Sequence, residues 1–347
     1  MKYVPHRPAT LRVAALALAL GVAATPAAAA GAAVPAITIQ VERSTLLDLA
    51  QVGPSLMAVG ERGLIARSDD GGQTWAARLS PTSRTLTAIT FTDDKVGVAV
   101  GHGGTILRTE DGGRNWTAVT VKEIGRDAVL GVTALKNGRL VAWGAFGMYL
   151  VSQDQGRTWS RSQVIADDFD RHISRVIEAR DALYMVGETG VVARSTDGGQ
   201  QWTPLTTPYE GSYFGILETK GGALLAFGMR GNVYRSEDRG STWDKVPFDT
   251  KSTINGGSVA ADGRIVLAGN RGLLALSSDD GRSFVLMTSP EGTSLTQARL
   301  LGDGQLVYTG SMATGRLSAE RIAKAVSSRP AARLANAAPA APAAATK

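Results

Sequence analysis

The chain has 347 residues, a formal net charge of +6 and no cysteine, which excludes disulfides, thiol catalysis and lipid attachment through an N-terminal cysteine. Lys2, Arg7, Arg12, Arg329, Arg333 and Lys347 lie near the two ends and account for the whole excess, so the body between them is neutral. Nucleic-acid binding would need a clustered basic face on the folded domain, and no nucleic-acid partner is expected.

Residues 1–30 read as a signal peptide. Lys2, Arg7 and Arg12 form a basic region, Val13 to Ala24 an apolar one, and Ala28-Ala29-Ala30 a small-residue cleavage pattern before Gly31. The apolar run falls short of the ~20 residues a spanning helix needs, and no later segment is apolar enough. A soluble protein that does not itself span the membrane is expected, in the bacterial periplasm or secreted.

From Gly60 the chain repeats. Gly60, Gly101, Gly144, Gly187, Gly228, Gly269 and Gly310 recur at intervals of 41 to 43 residues. Six of them open a G-x-x-G segment, followed by an alternating strand and a box of the form S/T-x-D-x-G-x-x-W/F. In the second repeat four strands are legible, at 88–91, 97–100, 105–108 and 116–119. Turn dipeptides such as Asn137-Gly138, Gly221-Gly222, Asp262-Gly263 and Asp303-Gly304 join the first two strands of a unit. This period with four strands per unit predicts an all-β, seven-bladed β-propeller of four-stranded antiparallel blades over residues 37–319.

The six boxes always carry aspartate third (Asp70, Asp111, Asp154, Asp197, Asp238, Asp279) and glycine fifth, while the fourth position varies. The carboxylate is predicted to accept backbone N–H bonds across the turn, and the glycine to take a positive φ. The closing aromatics, Trp75, Trp116, Trp159, Trp202, Trp243 and Phe284, should open the outer strand and pack between units, for roughly 1.5–3 kcal/mol each. The boxes are thus architecture. Arg67, Arg108, Arg194 and Arg235 end the third strand where other units have Val151 or Leu276. Each is predicted to pack its stem and reach a nearby carbonyl or box aspartate.

The seventh unit lacks a box. A longer loop over Ser311 to Thr314 and a third strand over Gly315 to Ala319 are predicted, with the N-terminal strand Ile37 to Val41 completing blade seven and closing the ring. A short helix over Ser318 to Val326 and an Ala/Pro-rich tail to Lys347, too uniform to pack, follow.

The S-x-D-G-G-x-T-W box is similar to the Asp-box, or BNR repeat, of sialidases and several other propellers. The fuller unit, best seen from Ile89 to Trp116, resembles the photosystem II stability/assembly factor family, and the resemblance covers Leu46 to Ala319. It implies a seven-bladed propeller that serves membrane machinery as an accessory partner. The lipid-anchoring cysteine of some photosynthetic relatives is absent, so a non-photosynthetic bacterial member is expected.

In such a ring the turns between second and third strands and the crossovers between blades share one face, and the boxes occupy the other. On the crossover face Arg62, Arg230 and Arg271 hold one register in blades one, five and six, where they read either as a cationic arc suited to acidic peptides or as solvated turn residues. His102 lies at another tip. Arg126, Phe169, Arg171, His172, Tyr209 and Tyr213 sit on crossovers, with aromatic anchoring of a partner and inter-blade packing both open. Asp167 to Asp170 lacks a calcium-loop pattern and reads as an acidic loop.

Only His102 and His172 follow the signal peptide, and neither a metal-binding pair, a G-x-S-x-G elbow nor a phosphate loop is present. The Arg-Ile-Pro signature of sialidases is also absent. The expectation is a monomeric, non-enzymatic assembly or accessory factor without cofactor or metal, which binds a membrane protein or its periplasmic segment. The alternative is a carbohydrate-binding or glycoside-hydrolysing propeller, which would need two carboxylates about 5–10 Å apart at the channel mouth.

Overall fold

The computed structural model describes residues 39–328 except Leu79, Asp167 and Asp181. The predicted signal peptide and the tail from 329 lie outside the described residues, and so do Ile37 and Thr38.

Seven antiparallel sheets follow one another along the chain, six of four strands and the last of three, forming a seven-bladed β-propeller. The inner strands are Leu46–Val52, Leu86–Phe91, Val129–Ala134, Ile173–Glu178, Tyr213–Glu218, Ile254–Val259 and Leu295–Leu300. The second strand of each blade is buried along its whole length, because neighbouring blades cover both of its faces. Such strands read as short continuous apolar runs. Outer strands such as Thr117–Ala118 and Ser160–Arg161 are exposed, while that of blade six, Val285–Thr288, is mostly half-buried.

The recurrent glycine ends each second strand for want of space. At Gly60, Gly228 and Gly269 the backbone is extended. A Cβ there would lie 2.0 Å from the carbonyl oxygen of Thr45, 2.3 Å from that of Ser212 and 2.2 Å from that of Thr253, each the residue before an inner strand. The same approach recurs at Gly101, Gly144, Gly187 and Gly310. Beside it, every inner strand carries a one-residue bulge, as between Leu46 and Asp48 or Ile173 and Arg175. Bulges of this kind re-aim side chains, here toward the channel.

The ring closes where blade seven meets blade one: the Thr296 hydroxyl donates to the Leu46 carbonyl at 2.7 Å, as Thr87 does to Val129 at 2.7 Å between blades two and three. Of the predicted closing strand, Ile39 and Gln40 pair with no strand, and Val41–Arg43 forms a single 3-10 turn whose buried Val41 joins the core between blades seven and one. Blade seven also differs from expectation at its tip. Met312 turns with φ 50°, Gly310 pairs directly with Ala313, and the third strand is Ala313–Leu317. The loop is therefore shorter than predicted, because the tip keeps the same left-handed turn as other blades and the chain enters the strand at once. Helix α1, Ala319–Ser327, is capped by the Ser318 hydroxyl and buries Ile322 in the core of blades six and seven. No helix among the described residues is long and apolar enough to cross a membrane.

Candidate functional site

The boxes form a structural rim. In the first, the Ser68 hydroxyl donates to Asp70 at 2.8 Å and accepts the Gly72 N–H at 2.7 Å, while Asp70 also receives the Thr74 hydroxyl at 2.6 Å and two backbone N–H groups. In the fifth box, bonds from the Thr242 hydroxyl and N–H outweigh partial desolvation and hold Asp238 down at about 2. The fourth and fifth positions are both left-handed, including the non-glycine residues Gln155, Arg239 and Asp280. The box aromatics pack in the clusters that join each blade to the one before it, such as Trp116 against Met57 and Val59.

Position four varies because its backbone does the binding. Its carbonyl accepts a side-chain bond from the preceding blade at five successive joints. The donors are Arg67 to Gly112 (2.9 Å), Arg108 to Gln155 (2.7 Å), Arg139 to Gly198 (2.9 Å), Tyr184 to Arg239 (3.2 Å) and Arg235 to Asp280 (2.9 Å). Blade three has Val151 where others have the third-strand arginine, and Arg139 from its first turn takes over the bond.

The opposite, crossover face has another character. Arg62, Phe146, Thr189, Arg230, Arg271 and Met312 hold the same tip position, all left-handed with φ between 50° and 59°, and Gly103 fills it in blade two. Arg62, Arg230 and Arg271 are exposed, and among the described residues their side chains make no hydrogen bond or ion pair. Phe146 is 55% and Met312 63% exposed, and with Met229 they make up most of the large exposed apolar side chains. The sequence signal for Phe146 and Met312 is the register they share with the arginines, two residues after the recurrent glycine; Met229 lies one residue earlier, beside Arg230.

The crossovers bring some candidates together. His172 meets Phe146 edge to face at 5.1 Å and approaches Glu188 at 3.2 Å, and Glu188 also accepts the His172 N–H. The Arg171 carbonyl accepts the Gly147 N–H, and half-buried Phe169 packs into the core of blades three and four. Half-buried Tyr209 stacks on Tyr234 at 5.9 Å and walls a groove of about 690 Å3 with Glu210, Met229 and Arg230. His102 and Arg126 are exposed at separate points, on the blade-two tip and the following crossover. Tyr213 must be withdrawn as a partner contact. At 0% exposure it is the first residue of the blade-five inner strand, packed between blades four and five, and burial pushes its hydroxyl up to about 12.

At the crossover end of the channel, Asp48 is the sole carboxylate among the described lining residues, and it accepts the Ile89 N–H at 3.0 Å. No group of three His, Asp or Glu among the described residues is placed to hold a metal.

No curated protein sequence matches the chain. Solved structures with a similar fold include YCF48 bound to D1 peptide, with 18% identity over 79% of this chain and 91% of that one and a TM-score of 0.65. YCF48 from Cyanidioschyzon merolae gives 20% identity over 82% and 98%, with a TM-score of 0.65. Streptogramin B lyase gives 13% identity over 81% and 95%, with a TM-score of 0.66. At such identities these likenesses show the fold alone. The family model described as photosynthesis system II assembly factor YCF48 matches residues 28–137, 79–253 and 132–284, which span most of the repeat array. On that match the chain belongs to the photosynthesis system II assembly factor YCF48 family.

Proposed function

We propose that the protein is a non-enzymatic periplasmic accessory factor that holds an acidic, exposed segment of a membrane protein against its crossover face. The observation that carries this reading is the ring of left-handed tips. Glycine takes that conformation with least strain, and other residues there cost about 1 kcal/mol. Three tips nevertheless carry unpaired arginines and two carry exposed Phe146 and Met312. A ring that carries both guanidinium and apolar tips suits an extended peptide with carboxylates and apolar side chains. The relative solved with D1 peptide supports a peptide ligand for this fold.

The test is in-cell crosslinking of the tagged protein, followed by mass spectrometry of what co-purifies from solubilised membranes. One dominant membrane protein is expected. The triple variant R62E/R230E/R271E and the variant F146S should each lose most of that capture with a nearly unchanged melting temperature, since the arginines are unpaired among the described residues and exposed Phe146 loses its edge contact with His172. Capture equal to wild type in both variants would remove the crossover tips from the account.

A further inference from the structure

The central channel contains two arginines that the repeat does not call for. Third positions of the inner strands are mostly small along the channel (Ala88, Gly131, Gly215, Gly256), and fifth positions are small in several blades (Ala50, Thr90). Blade four places Arg175 at the third position, and blade seven places Arg299 at the fifth. Both line a cavity of about 460 Å3 together with Asp48 and Gln297. Blade four stands three places round the ring from blade seven, so the two guanidiniums enter from opposite walls.

Among the described residues neither arginine makes a hydrogen bond or ion pair, and the Arg299 Nε is buried without an acceptor. Burial disfavours the Arg299 charge, Asp48 supports it and Arg175 opposes it, leaving it below the ordinary arginine range. Three carboxylates share the cavity and keep their charge, but each already accepts a backbone N–H, and none lies within ion-pair distance of either arginine. Asp48 accepts the Ile89 N–H, Glu178 the Lys136 N–H at 2.6 Å, and Glu218 the Arg180 N–H at 3.1 Å with the Arg180 guanidinium beside it. Gln297 spends its side-chain oxygen on the Ala298 N–H and keeps its amide donors for the cavity. Two guanidinium forks and an amide therefore converge with donors to spare, an arrangement that matches the planar or tetrahedral oxygens of carboxylate or phosphate.

We propose that the channel binds a small oxyanion, a phosphate or a carboxylate, between Arg175 and Arg299. The site lies inside the ring and is independent of partner binding at the tips.

The test uses the full chain titrated with inorganic phosphate and, separately, with acetate, at ionic strength held constant with chloride. Calorimetry and the melting temperature are both read. A saturable stabilisation beyond chloride is expected, with phosphate alone or acetate alone identifying the source of the oxyanion. R175M and R299M should each weaken it by about tenfold or more, the scale of one charge-assisted bond, and K245M, on an exposed outer strand, should leave it unchanged. Should R299M fail to fold, R175M, on the opposite wall, decides alone. No saturable response to either anion, or variants that titrate like wild type, would overturn the proposal.

Discussion

Arg108→Met separates the bond that links neighbouring blades from the packing of the side chain that makes it. The Arg108 side chain is 7% exposed, and its Nε donates to the Gln155 carbonyl at 2.7 Å across the joint between blades two and three. Methionine retains much of the apolar stem, so burial is nearly conserved. The charged donor is lost and a carbonyl at the joint is left without it. A hydrogen bond to a charged group contributes about 1.5–3 kcal/mol, and the expected destabilisation is within that range. The contact with exposed Glu110 adds nothing to this figure. Arg194→Met is the internal control. It stands at the same register in blade four, but there Tyr184 supplies the bond to the next box, so a loss under about 1 kcal/mol is expected. Urea midpoints followed by tryptophan fluorescence compare the two variants on one scale. Equal losses would refute the reasoning, because the position-four carbonyl would then carry no energetic weight.

Two further outcomes follow from the geometry of the turns. The folded Asp238 titrates at about 2, below its ordinary 3.8, so its stabilisation is complete above pH 4 and fades as the pH falls toward 2. Melting curves of wild type and Asp238→Asn should therefore differ at neutral pH and converge in that acid window; curves that stay parallel would unlink the carboxylate from folding. Gly187→Ala places a Cβ 2.4 Å from the His172 carbonyl and should cost more than about 2 kcal/mol, whereas Gly138→Ala, at φ 84° with open space around it, should cost about 1 kcal/mol. Similar melting temperatures for the two variants would contradict the close-approach account of the recurrent glycine.

The repeat was legible because the residues that define it touch one another. A box aspartate binds its own turn, the box aromatic meets the previous blade, and the recurrent glycine lies against a carbonyl, so each departure would be costly at every copy. Tyr213 reads as a crossover residue because it follows a loop rich in turn residues. Yet the equivalent first residues of the other inner strands are Leu46, Leu86, Val129, Ile173, Ile254 and Leu295, all buried. That register marks Tyr213 as core, and the third and fifth positions of the same strands mark Arg175 and Arg299 as the two arginines on the channel wall. Blade seven has no glycine after Met312, yet a two-residue turn is enough there, because Gly310 pairs directly with Ala313.

The two faces of the ring differ in what they ask of a side chain. On the box face a backbone carbonyl takes a donor from the preceding blade, and arginine from the third strand, arginine from the first turn or tyrosine from the second strand can each supply it. Energy is thus spread over joints that tolerate several solutions, none of which leaves a reactive group at the surface. At a crossover tip only a left-handed backbone is required, and arginine, phenylalanine, threonine, methionine and glycine all occur there. Substitution at Arg62 or Phe146 leaves the box-face bonds between blades untouched. Recognition built on the tips can therefore change partner without taxing the ring, whereas a partner gripping the boxes would compete with the bonds that hold the blades together. This asymmetry favours the crossover face as the place where specificity resides.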